Sequence, residues 1–126
     1  MKPDIKGLEK LAAHLRTVPT KDFDMAEWIL DTPCGTSACI AGHAALLFPT
    51  RFRKKVVSKD DGYINYSVVH RQSGISGSEG FSRAFHLTLE DAEDLTMWSF
   101  YLTPKHAAAG ITKLVKKLKL EMVGKK

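Results

Sequence analysis

The chain has 126 residues, of which 44% are apolar and 26% charged, a composition typical of one globular domain and not of a disordered segment. No stretch contains the roughly 18 apolar residues that a membrane span requires, and the N-terminus lacks the apolar core of a signal peptide. The sequence therefore predicts a single domain over residues 1–126 in the cytoplasm. Its two cysteines are expected to be thiols or metal ligands, not a disulfide.

The net charge of +5 is distributed unevenly along the chain. A short acidic block over residues 90–94 separates two basic segments. These segments contain Arg51, Arg53, Lys54, Lys55 and Lys59, and then Lys113, Lys116, Lys117, Lys119, Lys125 and Lys126. Such asymmetry favours an anionic partner: nucleic acid, a nucleotide or an acidic protein face. For the C-terminal lysines the alternative is a solvated basic surface.

Apolar residues at helical spacing predict an amphipathic helix over residues 4–16. A second, short helix is predicted to begin at Asp24, because Glu27 three residues later completes a capping box. Phe23 and Trp28 would form the hydrophobic staple around that start.

The run from Ser37 to Phe48 carries no formal charge, with histidine counted as neutral. A helix that is apolar on all sides is a buried helix, so this run predicts the central helix of the fold. Thr36 is its expected N-cap, which places Cys39 and His43 one turn apart on the same side.

An antiparallel β-hairpin is predicted at about residues 53–71, because Asp61-Gly62 between two β-rich runs is a type I′ turn signal. Further helices are predicted over residues 79–87, after Thr88, and from Thr103-Pro104 onward. The last forms a basic C-terminal helix and tail, residues 104–126. The fold class is therefore α+β: a mostly helical domain with a buried central helix and one small hairpin.

Two parts of the chain resemble an uncharacterised family of small phage and bacterial proteins. The first is the pattern Phe23-Asp24-Met25…Trp28…Cys34-Gly35-Thr36-x-x-Cys39-Ile40-Ala41-Gly42-His43-Ala44. The second covers residues 84–95 and 103–108, whereas the hairpin varies. The resemblance implies no established reaction. Relatives often carry tryptophan at the position of His43, which implies packing there and not metal binding or base catalysis.

The central motif allows two kinds of chemistry. Cys34, Cys39 and His43 offer three ligands for zinc, but no second paired motif supplies a fourth, and the sequence predicts no metal site and no cofactor. Alternatively, Cys34 near a helix N-terminus would be stabilised as a thiolate nucleophile. Nothing selects its base among His70, His86 and His106, so no catalytic residue is assigned. Packing alone also accounts for Cys39 and His43.

A third possibility is an anion site at the N-terminus of the central helix, where free amides attract phosphate or carboxylate. Basic residues beside the hairpin would complete it, and the hairpin tyrosines are candidates for contact because one of them should be exposed. The predicted ligand-binding residues are Gly35, Thr36, Ser37, Arg51, Arg53, Tyr63 and Tyr66.

Small size and an incomplete catalytic constellation favour a binding protein over an enzyme. The expected function is that of a phage-type accessory or counter-defence protein that binds an anionic partner, either a nucleotide-like ligand or a host protein, in the host-cell cytoplasm. One alternative is a nucleic-acid-binding protein that uses the two basic segments, and binding would then weaken steeply with salt. The other is a cysteine-dependent hydrolase. The sequence does not indicate the oligomeric state.

Overall fold

The structure, a computed structural model, describes residues 2–96, 101 and 103–124. These residues form five α-helices and a four-stranded antiparallel sheet, so the predicted α+β class is confirmed. None of the described helices is long and apolar enough to cross a bilayer. The elements are α1 (Ile5–Thr17), a 3-10 turn (Thr20–Asp22), β1 (Ile29–Thr32), β2 (Gly35–Ala38), α2 (Ile40–Leu47), β3 (Phe52–Asp60), β4 (Tyr63–His70), α3 (Gly77–Phe85), α4 (Leu89–Thr96) and α5 (Pro104–Gly124).

The sheet has the strand order β2-β1-β4-β3. The predicted hairpin is its β3–β4 pair, and Asp61 and Gly62 both have positive φ (47° and 85°), as a type I′ turn requires. The sheet is larger than predicted, because β1 and β2 form a second hairpin that pairs with β4 through β1.

The prediction of a helix that begins at Asp24 is wrong. The Asp24 carboxylate accepts a hydrogen bond from the backbone N–H of Ala26 at 2.9 Å, which closes a turn, and the chain then enters β1 at Ile29. Aspartate followed by a backbone donor two residues later is as compatible with such a turn as with a helix cap. Phe23 does not act as a staple but forms an isolated bridge with Ala38.

The buried central helix is confirmed, but it begins later than predicted. Its N-cap is Cys39, whose Sγ accepts the backbone N–H of Gly42 at 3.4 Å. Thr36 lies instead on β2, where it pairs with Asp31 of β1. All six residues over positions 40–45 are buried.

The other helix predictions are confirmed with small shifts at their ends. The Thr88 hydroxyl caps α4 by accepting the N–H of Asp91, and the Thr103 hydroxyl caps α5 by accepting the N–H of His106, each at 3.1 Å. Pro104 is the first residue of α5. The predicted stripe on α5 is buried and comprises Ala108, Ile111, Leu114, Val115 and Leu118.

The core surrounds α2, which contacts α1, α3, α4 and the sheet. Gly42 allows the closest of these approaches, because a Cβ at that position would lie 1.7 Å from the backbone oxygen of Trp28. Helix α1 runs antiparallel to α5, with Glu9 beside Lys119 at one end and Arg16 beside Thr112 at the other.

Candidate functional site

The seven predicted binding residues do not come together in one site. Gly35, Thr36 and Ser37 lie on β2 at one edge of the sheet, whereas Arg53 lies on β3 at the other edge. Since neighbouring strands are about 4.8 Å apart, three strand intervals separate these edges by about 14 Å. The helix N-terminus on which the predicted anion site depended is at Cys39, beyond the Gly35–Ser37 segment.

Arg51 has a structural role at the base of the hairpin. Its Nη1 forms an ion pair of 2.5 Å with Asp4, and its guanidinium lies 4.6 Å from the ring centre of Phe48 and 5.2 Å from that of Phe85. Burial opposes ionisation of Asp4, but the hydrogen bond from the Gly7 N–H and the Arg51 guanidinium outweigh it and lower the pKa of Asp4. Arg51 therefore ties the start of α1 to the start of β3.

Strand β3 presents the most exposed basic segment of the sheet. Every residue over positions 53–60 is exposed, and the strand bulges between Val56 and Ser58. Val56, Val57 and Tyr63 are 55%, 67% and 51% exposed, so large apolar groups lie beside the cations. We use the term hairpin surface for these exposed residues, which lie on both faces of the projecting ribbon: Arg53, Lys54, Lys55, Val56, Val57 and Tyr63.

Tyr66 is half-buried and belongs to a polar chain that crosses the sheet. Asp31 on β1 accepts a hydrogen bond of 2.5 Å from the Thr36 hydroxyl. Partial burial raises the pKa of Tyr66, and the carboxylate of Asp31, to which it is hydrogen-bonded, raises it further. The ammonium of Lys54 lies 4.5 Å from the Tyr66 ring centre. Thr36 and Tyr66 therefore contribute contacts between strands, and Tyr63 is the exposed tyrosine that the sequence predicted.

The three candidate zinc ligands do not converge. Cys34 is exposed in the turn between β1 and β2, whereas Cys39 is buried, and burial raises the pKa of its thiol to about 11. Among residues 2–96, 101 and 103–124, no three His, Cys, Asp or Glu side chains are placed to hold a metal ion. The expectation of Cys34 at a helix N-terminus is wrong, since the nearest helix begins at Ile40.

His43 packs in the interior between α1 and the 3-10 turn. Its Nε2 donates to the Asp22 carbonyl at 2.9 Å, so its Nδ1 accepts from Nε2 of His14 at 3.3 Å. Burial lowers the pKa of both imidazoles. Phe23 stacks on His43 with ring centres 6.2 Å apart, in agreement with a packing role at this position.

A second basic surface lies between α1 and α5; Lys113 and Lys116 belong to the C-terminal basic segment noted in the sequence, whereas the sequence does not indicate that Arg16 joins them. It is an open groove of about 520 Å³ in which Arg16 from α1 faces the outer side of α5. The Arg16 guanidinium is held in place by donating to the Thr112 hydroxyl at 2.9 Å. We call this surface the helix groove; its lining residues are Arg16, Lys105, Ala109, Thr112, Lys113 and Lys116.

The lysines of α5 fall into two groups. Lys117 pairs with the buried carboxylate of Asp91 at 2.9 Å, and Lys119 pairs with Glu9 at 3.4 Å. The hydrogen bond to Asp91 raises the pKa of Lys117. Within the part of the chain that the structure describes, the lysines of the helix groove form no ion pair. Their charges are therefore available to a partner.

Comparisons with protein families, curated proteins and solved structures find no match for this chain. The resemblance to small phage and bacterial proteins stays a prediction, and function has to be argued from the two basic surfaces.

Proposed function

We propose that this is a non-enzymatic binding protein whose hairpin surface contacts an acidic face of a partner protein. The observation that carries the proposal is the exposure of β3 along its whole length after Phe52, with cations and large apolar groups side by side. Protein interfaces combine apolar and aromatic anchors with a charged rim, and opposite charge speeds the encounter.

The shape of the hairpin surface favours a macromolecule over a nucleotide-like ligand. Small ligands bind in concave pockets that enclose most of their surface. The hairpin surface is an exposed ribbon, and five surface cavities elsewhere are lined by residues outside it. A partner protein can cover such a ribbon from outside.

The accessory or counter-defence role belongs to the same proposal. A small protein with an exposed basic hairpin can block an acidic surface of a host protein without performing a reaction. The resemblance to small phage and bacterial proteins supports this context. The hydrolase alternative has less support, because the buried Cys39 thiol has a raised pKa and exposed Cys34 lies in a turn.

The experiment compares three forms of the protein as bait in a bacterial extract, with a photo-crosslinking side chain introduced at Tyr63. The hairpin variant (R53Q/K54Q/K55Q) should lose a crosslinked partner that the wild type captures. The control variant (K2Q/K6Q/K21Q) also removes three exposed lysine charges, outside both basic surfaces, and should keep the partner. Circular dichroism confirms that each variant is folded.

Two outcomes would contradict the proposal. One is capture of the same partner, in the same amount, by the hairpin variant. The other is an adduct of nucleotide mass that native mass spectrometry detects on the purified wild type and not on the hairpin variant, since that would place a small ligand where we propose a protein.

A further inference from the structure

We propose that the helix groove binds the sugar–phosphate backbone of nucleic acid without reading its sequence. This inference does not depend on the hairpin surface. It rests on the arrangement of the groove cations, on the pairing of the neighbouring lysines with acids, and on the chemistry of the groove floor.

The groove cations form a line along α5. At about 100° per residue, Lys105, Lys113 and Lys116 fall on one side of the helix, opposite the buried stripe. Lys105 and Lys116 are 11 positions apart, a rise of about 16 Å. One nucleic-acid strand presents about five phosphates over that length, at roughly 3.4 Å each along the axis. Arg16 adds a fourth cation from α1.

Two of the acids near α5 are paired with lysines outside the groove. Lys117 and Lys119 flank the outer face and pair with Asp91 and Glu9. Lys113 also borders a neighbouring cavity beside Asp94, but no ion pair joins Lys113 to an acid within 4.0 Å in the described residues. Among the residues that the structure describes, the groove lining contains four basic side chains and no acidic one. A polyanion entering the groove therefore meets no carboxylate there.

The groove floor favours phosphate over a protein partner. In the described part of the chain its uncharged residues are Ala109 and Thr112, neither of which is a large apolar anchor. Protein interfaces are depleted of lysine and depend on buried aromatic or arginine anchors, whereas lysine, arginine and threonine are ordinary contacts to phosphate oxygens. Contacts to phosphate oxygens position a protein on nucleic acid but carry no sequence information, so binding through these contacts would not distinguish one sequence from another.

The test measures fluorescence anisotropy of labelled duplex DNA of about 20 base pairs at about 50 mM salt, a concentration at which phosphate contacts are strong. Two duplexes of unrelated sequence should bind the wild type equally well. The groove variant (K105Q/K113Q/K116Q) should bind about tenfold or more weakly, because three phosphate contacts are lost. The control variant, with the same loss of charge elsewhere, should stay within about threefold of the wild type.

Three results would overturn the inference. The first is no binding of DNA by the wild type, and the second is a groove variant as strong as the control variant. The third is binding of poly-glutamate as strong as that of DNA, which would indicate that the groove binds any polyanion, including an acidic protein surface. The hairpin variant separates this inference from the proposed function: it should lose its protein partner and keep DNA, and the groove variant should do the reverse.

Discussion

The hairpin surface and the helix groove carry similar charge but differ in what surrounds the cations. On the hairpin, Arg53 and two lysines are followed along β3 by two exposed valines, and an exposed tyrosine lies on the neighbouring strand. In the groove, the cations line a shallow trough floored by alanine and threonine. Charge alone predicts an anionic partner for both. The neighbouring side chains and the surface shape separate a protein partner from a phosphate backbone.

The same lesson holds within α5 itself. Lys116 and Lys117 are adjacent in sequence, yet one faces the open groove and the other forms an ion pair with a buried carboxylate. A helix turns its residues by about 100° at each step, so neighbours in a lysine-rich run meet different surroundings. Counting basic residues in such a run therefore overstates the charge available to a partner.

The largest expected effect is a loss of stability after a substitution in the core, which should affect both surfaces if both depend on that core. Replacing Gly42 by Ala would place a Cβ against the Trp28 carbonyl, where backbone leaves no room. We expect the free energy of unfolding to fall by about 3 kcal/mol, and binding at both surfaces to be lost together on warming. Urea denaturation measures the change.

Gly124→Ala, where a Cβ meets nothing within 4 Å, is the control and should change stability by less than about 0.5 kcal/mol. An unchanged midpoint for G42A would show that the sheet can move away from α2.

Salt dependence gives the sharpest contrast between the surfaces. Each phosphate contact contributes about 0.9 to the slope of log affinity against log salt, so the groove variant should reduce the slope for duplex DNA by about 2 to 3. The hairpin variant should reduce it by less than about 1, since its cations contact a different partner. Anisotropy titrations at four salt concentrations provide the slopes. Equal reductions in both variants would mean that one nucleic acid spans both surfaces.

A fall in pH should lower the stability of the fold before it changes the charge of either basic surface. Burial lowers the pKa of His14, His43 and His70 below their ordinary value near 6.5, so the unfolded chain binds more protons below that pH. Stability is therefore fully present above pH 6.5 and falls as the pH drops toward the folded-state values. The loss is at most about 1.4 kcal/mol per pH unit for each histidine.

Urea denaturation between pH 7.5 and 5.5 measures this loss, because arginine and lysine stay charged throughout that range. His14→Gln keeps a donor for His43 and removes one titrating group, so its stability should depend less on pH than that of the wild type. His106→Gln, at an exposed position, is the control. A pH-independent midpoint for the wild type would refute the assignment of two neutral, hydrogen-bonded imidazoles.

The smallest effect distinguishes Arg51 from Arg53, two residues that the sequence assigned to one site. Arg51→Met removes an ion pair and two aromatic contacts, and should cost about 1 kcal/mol of stability while the protein partner is retained. Arg53→Met makes the same chemical change at an exposed position, and should weaken the partner without lowering the thermal midpoint. The opposite pattern would return Arg51 to the binding surface.

Local signals in the sequence predicted most of the fold. Asp61-Gly62 correctly predicts the turn of the hairpin, and Thr103-Pro104 correctly predicts the start of α5. Both predictions succeed because each residue pair is compatible with few backbone conformations. The prediction of a helix that begins at Asp24 is wrong because an aspartate side chain caps turns as readily as helices. Strands β1 and β2 were missed because each has only four residues and depends on pairing with a neighbour.

The candidate sites were less predictable, because they depend on contacts distant in sequence. Arg16 reaches the helix groove from α1, and its partner Thr112 is 96 residues away. The sequence predicts Arg51 as a ligand-binding residue, because its ion-pair partner Asp4 lies 47 residues earlier and no local pattern indicates that pairing. The alternation of side chains along a strand predicts that one of Tyr63 and Tyr66 is exposed, and Tyr63 is; that it contacts a partner stays a prediction.

The position of β3 at the border of the sheet has a consequence for self-association. In the described part of the chain, β3 pairs with β4 alone, so its outer row of backbone groups is open to another strand. A second copy aligned along that row would bring like charges together, and the bulge between Val56 and Ser58 breaks the regular spacing. The cations that we propose attract a partner thus also keep copies of the protein apart. Removal of these cations is therefore expected to weaken partner binding and, at the same time, to favour pairing between copies along this strand.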